Sequence, residues 1–190
     1  MYKYFLAVSL VFVLLISGCA SSPNLASTYT DPNGLFSAGI AKGWVEDKEE
    51  ASKAASSSGL GEQGSGLSVL ALKKGGVSIG FIAITLPPQA IGKITADTLV
   101  ASMQTTGVIP AGKTFQSRTI GGIEGKEITL DGNINQQLSR KANIAKLKMI
   151  LAVKDNKLVT VGYGSETTAE DFDKNLADAD AMINSFKLLK

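Results

Sequence analysis

The 190-residue sequence predicts an α+β fold, and three observations carry that prediction. Apolar runs recur in pairs across short glycine or asparagine turns, the pattern of antiparallel hairpins. Two apolar stripes, Ala96-Leu99-Val100-Met103 and Phe172-Leu176-Ala179-Ile183-Phe186, follow helical spacing. Cys19 is the only cysteine, so no internal disulfide can form and a packed sheet-and-helix core has to supply the stability.

The chain opens with Lys3 and an apolar run from Phe5 to Ile16, interrupted only by Ser9. Twelve positions suit the h-region of a signal peptide and fall short of the roughly 18 needed to span a bilayer. The run ends in Ile16-Ser17-Gly18-Cys19, which resembles the lipobox of bacterial lipoprotein signal peptides. That resemblance implies that residues 1–18 are removed and that Cys19 is lipidated, becoming the mature N-terminus and attaching the protein to a membrane. Residues 19–28 then read as a lipidated tether; Ala20 to Thr28 is small and polar, contains Pro23 and would reach roughly 30 Å extended.

Residues 29–190 read as one domain. Asp31-Pro32-Asn33-Gly34 is a turn, followed by a strand over Leu35–Ile40 with Phe36, Ala38 and Ile40 on one face. Trp44, the only tryptophan, is expected as a core anchor. Glu46–Ala55 is helix-permissive and acid-rich at its start, where the helix dipole favours anions. Ser56–Gly66 reads as an exposed loop.

Leu67–Lys73 and Val77–Leu86 form the first hairpin across Lys74-Gly75-Gly76, its second run apolar on both faces like an interior strand. Pro87-Pro88 ends that run. A helix is predicted from about Thr95 to Thr106, capped by Thr95 and closed by Gly107. Phe115–Ile120 and Ile123–Leu130 flank Gly121-Gly122, while Asp131–Ala142 is open between a long loop and a continued strand. Lys146–Val153 and Leu158–Tyr163 flank a turn at Lys154–Lys157; Leu147, Met149, Leu151 and Val153 share one face, and the face begun by Lys146 and Lys148 is expected to meet solvent. Thr167-x-x-Glu170 predicts the capping box of the last helix.

Composition removes several chemistries. No histidine is present, so the commonest general base and metal ligand are missing. Residues 19–190 carry 18 basic and 17 acidic side chains, a balance that gives no reason to expect nucleic acid as a partner. Gly59–Gly64 matches G-x-G-x-x-G but lies among serines before a strand, where no helix N-terminus meets a pyrophosphate. Gly76–Gly80 matches G-x-S-x-G, yet Ser78 starts a strand and has no histidine to take its proton. Asp171/Asp173/Asn175 and Asp131/Asn133/Asn135 imitate calcium loops but lack the sixth-position glycine and twelfth-position glutamate. Neither a catalytic residue, a metal nor a cofactor is predicted. Arg140, Lys141, Lys146 and Lys148 form a basic cluster, and Glu46, Asp47, Glu49 and Glu50 an acidic one; solvated surface is the default reading of both, a docking patch the alternative.

The opening Tyr29-x-Asp31-x-x-Gly34-x-Phe36 with Gly43-Trp44, the hairpin Ile120-Gly121-Gly122-Ile123-Glu124-Gly125 and the ending Ile183-Asn184-Ser185-Phe186-Lys187 together resemble the Mog1/PsbP-like superfamily, which includes PsbP-like and DcrB-type envelope lipoproteins. The resemblance implies a central antiparallel β-sheet flanked by helices on both faces. It also implies a non-catalytic protein-interaction or assembly module, with no functional residue carried over. The expectation is a lipid-anchored accessory protein of the cell envelope with an unidentified envelope protein as partner. A binder of a small or lipidic ligand is the second possibility, and an enzyme using carboxylates, lysines or tyrosines the third. Ala20 stands where an aspartate retains many lipoproteins in the inner membrane, so resemblance to that rule implies the outer membrane if the cell is Gram-negative.

Overall fold

The computed structural model of the chain describes residues 25–57, 66–110, 112–132 and 144–189. Ten strands and three helices follow one another as β1 (Leu25–Thr30), β2 (Phe36–Ala41), β3 (Val45–Glu46), α1 (Lys48–Ser57), β4 (Leu67–Lys74), β5 (Val77–Thr85), α2 (Ala96–Thr105), β6 (Gln116–Ile120), β7 (Ile123–Asp131), β8 (Lys146–Lys154), β9 (Lys157–Ser165), α3 (Ala169–Ser185) and β10 (Lys187–Leu188) among the described residues. Seven strands form one antiparallel sheet in the order β3-β4-β5-β9-β8-β7-β6; a small second sheet has the order β1-β2-β10.

The three predicted hairpins are present, each closed by two residues. Gly75-Gly76 joins β4 to β5, Gly121-Gly122 joins β6 to β7, and Asp155-Asn156 joins β8 to β9. Gly75, Gly121 and Gly122 take the positive φ that such tight turns demand, and Asp155 does so too, at 54°. Strand β5 is interior, between β4 and β9, but its faces differ. Val77, Ile79, Phe81 and Ala83 are buried on one face, whereas Ser78, Gly80 and Ile82 on the other are half-buried.

Helix α3 covers the inner face of the large sheet. Phe172, Ala179, Met182 and Ile183, with Phe186 just past the helix, all lie within 1% of full burial, and each large member contributes roughly 1.5–3 kcal/mol. Phe186 stacks between Phe36 and Phe81, with ring centroids 5.3 and 5.9 Å away. Trp44 joins this core, as expected of it. On the opposite face Leu99, Val100 and Met103 of α2 close a smaller cluster of Ile109, Ile128, Leu130, Met149 and Leu151. Helices therefore flank the sheet on both sides.

Four expectations need correcting. Leu25 to Thr28, read as tether, belong to β1 and pair with β2; a surface strand needs backbone partners and not apolar side chains, so its composition resembles that of a linker. Helix α1 starts two residues later than the acid-rich stretch, because Asp47 accepts a hydrogen bond from the Glu50 amide and Glu46 is in β3. The cap of α3 is Thr168, whose hydroxyl accepts from the Asp171 amide; Thr167 instead donates its hydroxyl to the Asp171 carboxylate. The face begun by Lys146 and Lys148 is covered by α3 from Lys148 onward, which is only 7% exposed, while Lys146 is half-buried at its margin. Residues 1–24, most of the 56–66 loop and 133–143 lie outside the described residues, and with them the signal peptide, Cys19 and most of the ambiguous 131–142 stretch.

Candidate functional site

The densest set of interacting charges lies between α3 and strands β6, β7 and β8. Arg118, Glu127 and Lys148 occupy diagonal positions on the face under the helix, since Arg118 pairs with Gly125, Glu127 with Ile150 and Lys148 with Thr129. Asp180 reaches down from α3 and accepts a hydrogen bond from Lys148 Nζ at 3.0 Å, with Arg118 Nη2 at 3.4 Å. Glu127 stands 3.8 Å from Lys148 and 3.7 Å from Arg118 Nε, and Arg118 also donates to the Asn184 side chain at 2.8 Å. Arg118 Nε and Glu127 Oε2 are buried and make no hydrogen bond, so they interact as charges alone.

Two turns before Asp180 on α3, Asp173 accepts from Lys146 at 2.9 Å, and Lys146 lies 5.0 Å from the Phe172 ring centroid. That hydrogen bond holds the Lys146 ammonium above its ordinary range. Farther along α3, Asp178 accepts from Lys74 Nζ at 2.8 Å and from the Trp44 indole at 3.2 Å. Burial would raise the Asp178 carboxyl, but these two donors outweigh it and hold it below the usual carboxylate range. Three ion-paired aspartates thus fasten α3 to the sheet along its length.

This arrangement contradicts the solvated-surface reading of Lys148, whereas the Lys146–Asp173 pair lies at the exposed margin of the helix; both lysines are paired with helix carboxylates. Arg140 and Lys141 lie outside the described residues. In the acidic cluster Asp47 pairs with Lys73 at 2.9 Å and Glu49 with Lys53 at 2.6 Å, while Glu46 is exposed in β3. Arg118, Glu127 and Asp180 were not singled out by sequence. Their signal is a charged residue in a core-facing register: Glu127 alternates with Ile123, and Asp180 directly follows the buried Ala179.

The catalytic imitations are placed as structure. Ser78 is in β5, not at a strand-to-helix elbow. The Gly59–Gly64 motif falls outside the described residues. Asp171 is in the first turn of α3, where hydrogen bonds from Thr167 and then Thr168 lower its pKa. The Tyr163 hydroxyl donates to the Phe172 carbonyl at 2.6 Å, and burial pushes its pKa up. Among the described residues no three His, Cys, Asp or Glu side chains are grouped to hold a metal ion.

Two open clefts flank the β4–β5 turn. One, of about 300 Å³, lies between Lys74–Val77 and Asp171, Lys174 and Asn175 of α3. The other, of about 230 Å³, is bounded by Asp47, Glu50, Lys73 and Glu166. Among the described residues no helix is long and apolar enough to cross a membrane.

No family model matches the chain. No curated protein matches it either. Two solved structures share its fold. The solution structure of cyanobacterial PsbP (CyanoP) from Synechocystis sp. PCC 6803 superposes with a TM-score of 0.50 at 14% identity, covering 90% of this chain and 98% of the other. A crystal structure from Bacteroides thetaiotaomicron VPI-5482 superposes with a TM-score of 0.52 at 8% identity over 88% of this chain. This chain spans about half the length of that second protein, 50%. The domain has a PsbP-like fold.

Proposed function

We propose that this PsbP-like α+β chain is a lipid-anchored accessory protein of the bacterial cell envelope, attached through Cys19 and acting without catalysis by binding or stabilising another envelope component. The observation that carries the proposal is the ending of the apolar leader in Ile16-Ser17-Gly18-Cys19, six residues before Leu25, the first residue of β1. Multiple acyl chains make attachment lasting where one chain would be marginal. With Ala20 after the cysteine, the destination proposed for a Gram-negative cell is the outer membrane, facing the periplasm.

Two features of the domain support interaction over the alternatives. Its charges under α3 are paired with one another and tie the helix to the sheet. The two clefts beside the β4–β5 turn are open and lined largely by lysines, carboxylates and glycines, unlike the enclosing, predominantly apolar pockets that hold small or lipidic ligands. Replacing Cys19 by Ala is expected to abolish fatty-acid labelling and release the protein from membranes; persistent label would refute the anchor. In vivo crosslinking of the intact protein, followed by affinity capture and mass spectrometry, is expected to recover one envelope protein reproducibly. Repeated recovery of none would refute the partner.

A further inference from the structure

We infer that the domain does not hang free of the bilayer but rests on it, with the β4–β5 turn end as its lipid-facing surface. The inference rests on the anchor at Cys19 proposed above and adds an orientation to it.

Covalent reach limits how far the domain can stand from the anchor. Strand β1 begins at Leu25, so six Cα-to-Cα steps separate the anchor from the folded domain, and no conformation of them exceeds roughly 20 Å. Leu25 cannot peel away cheaply to lengthen the leash. It pairs with Ala41 in β2, and β2 is tied to α3 by the Gly39 amide donating to Ser185 Oγ at 2.7 Å.

Leu25 marks one end of the molecule. Ala41, its partner, leads through Lys42 and Gly43 to Val45, which pairs with Lys73 beside the β4–β5 turn. A Cβ on Gly43 would lie 3.7 Å from Lys74 Cε, which brings the β2–β3 connection against the same turn. This end carries two of the three exposed large apolar residues among those described, Leu25 at 40% and Val45 at 56%. Lys42 is exposed between them. Apolar side chains flanked by a snorkelling lysine suit the boundary between headgroups and acyl chains.

The third exposed residue, Ile91, makes the choice a real one, because exposure alone would not distinguish it. It follows Leu86 at the other end of β5, and the eight steps from Val77 to Thr85 alone span about 26 Å. The leash reaches the Leu25–Val45 end directly. To set Ile91 on the same bilayer, it would have to stretch past the whole length of the sheet.

The test uses the full chain in vesicles of phosphatidylcholine and phosphatidylglycerol doped with a photoactivatable phospholipid, with crosslinks mapped by mass spectrometry. The contact zone is only about 5–10 Å deep, so peptides holding Leu25–Val45 and Lys73–Gly76 should be enriched roughly tenfold over those holding Pro87–Lys93 and Lys154–Lys157. Crosslinks spread evenly, concentrated at Ile91 or absent altogether would overturn the orientation. The mass of the N-terminal peptide reports acylation of Cys19 separately. An unmodified Cys19 with crosslinks still at the Leu25–Val45 end would refute the anchor and leave the lipid-facing surface standing.

Discussion

Lys148 Nζ lies 3.0 Å from Asp180 Oδ1, a pair formed where strand β8 passes under helix α3 and the lysine side chain is 9% exposed. A buried pair is worth little against an apolar pair of equal volume, but breaking it strands a charge. Asp180 is 31% exposed and Glu127 stays 3.8 Å from Lys148, so Asp180→Ala is expected to destabilise by about 1–3 kcal/mol in urea unfolding, and Lys148→Met with Asp180→Leu to recover most of that loss. Equal destabilisation in the single and double variants would show that the pair does not act as a unit.

The Trp44–Asp178–Lys74 group predicts a pH dependence. The Asp178 carboxyl has a folded pKa below its ordinary value, so its contribution is complete above about pH 5, where the unfolded group is also ionised. It is lost as the pH falls from about 4 through the folded value. The stability gap between the wild type and Asp178→Asn should therefore be constant near neutrality and narrow on acidification. A gap that widens below pH 4 would contradict the assignment.

Glycines in the sheet divide by what a Cβ would meet. At Gly125 it would lie 2.6 Å from the Leu151 carbonyl oxygen and 2.9 Å from Ala152 Cβ; at Gly162 it would meet nothing within 4 Å. Gly125→Ala should cost about 1–3 kcal/mol by forcing β7 away from β8. Gly162→Ala should be neutral or gain up to about 1 kcal/mol, because alanine loses less backbone entropy in a strand. Thermal unfolding of both variants checks the contrast.

The start of α3 separates two neighbouring threonines. Thr168→Ala removes the acceptor for the Asp171 amide at 3.0 Å and should cost about 1 kcal/mol. Thr167→Ser keeps the hydroxyl that bonds the Asp171 carboxylate at 2.6 Å and should change stability by less than about 0.5 kcal/mol. Chemical denaturation of the two variants decides which residue is the cap.

These elements also show what was legible in the amino-acid order. The hairpins were, because glycine at 75, 121 and 122 and aspartate at 155 stand where the backbone turns with positive φ. So were α2 and α3, whose apolar stripes meet the sheet. Strand β1 was not, since Ser27, Thr28 and Thr30 are held by backbone hydrogen bonds that leave no trace in hydropathy. Nor was the charge group under α3. The alternation of β8 puts Lys148 in register with Ile150 and Ala152, but a lysine there reads as solvent-facing until Asp180 is brought over it from a distant helix. Strand β10 was hidden for a related reason: two residues carry no periodicity.

That last short strand has a consequence for the order in which the molecule can form. Ser37 pairs with Lys187 and Phe36 with Leu188, while the Leu189 amide donates to the Leu35 carbonyl at 2.9 Å. A chain emerging N-terminus first presents β2 well before residues 187–189, yet its second edge stays open until they arrive. The small sheet is thus a latch closed by the segment that follows α3. Contacts of such long sequence separation form slowly, because loop-closure entropy is lost before they stabilise anything. The small sheet completes only after residues 186–189 have been delivered, and until then the Phe36 side of the core waits for Phe186.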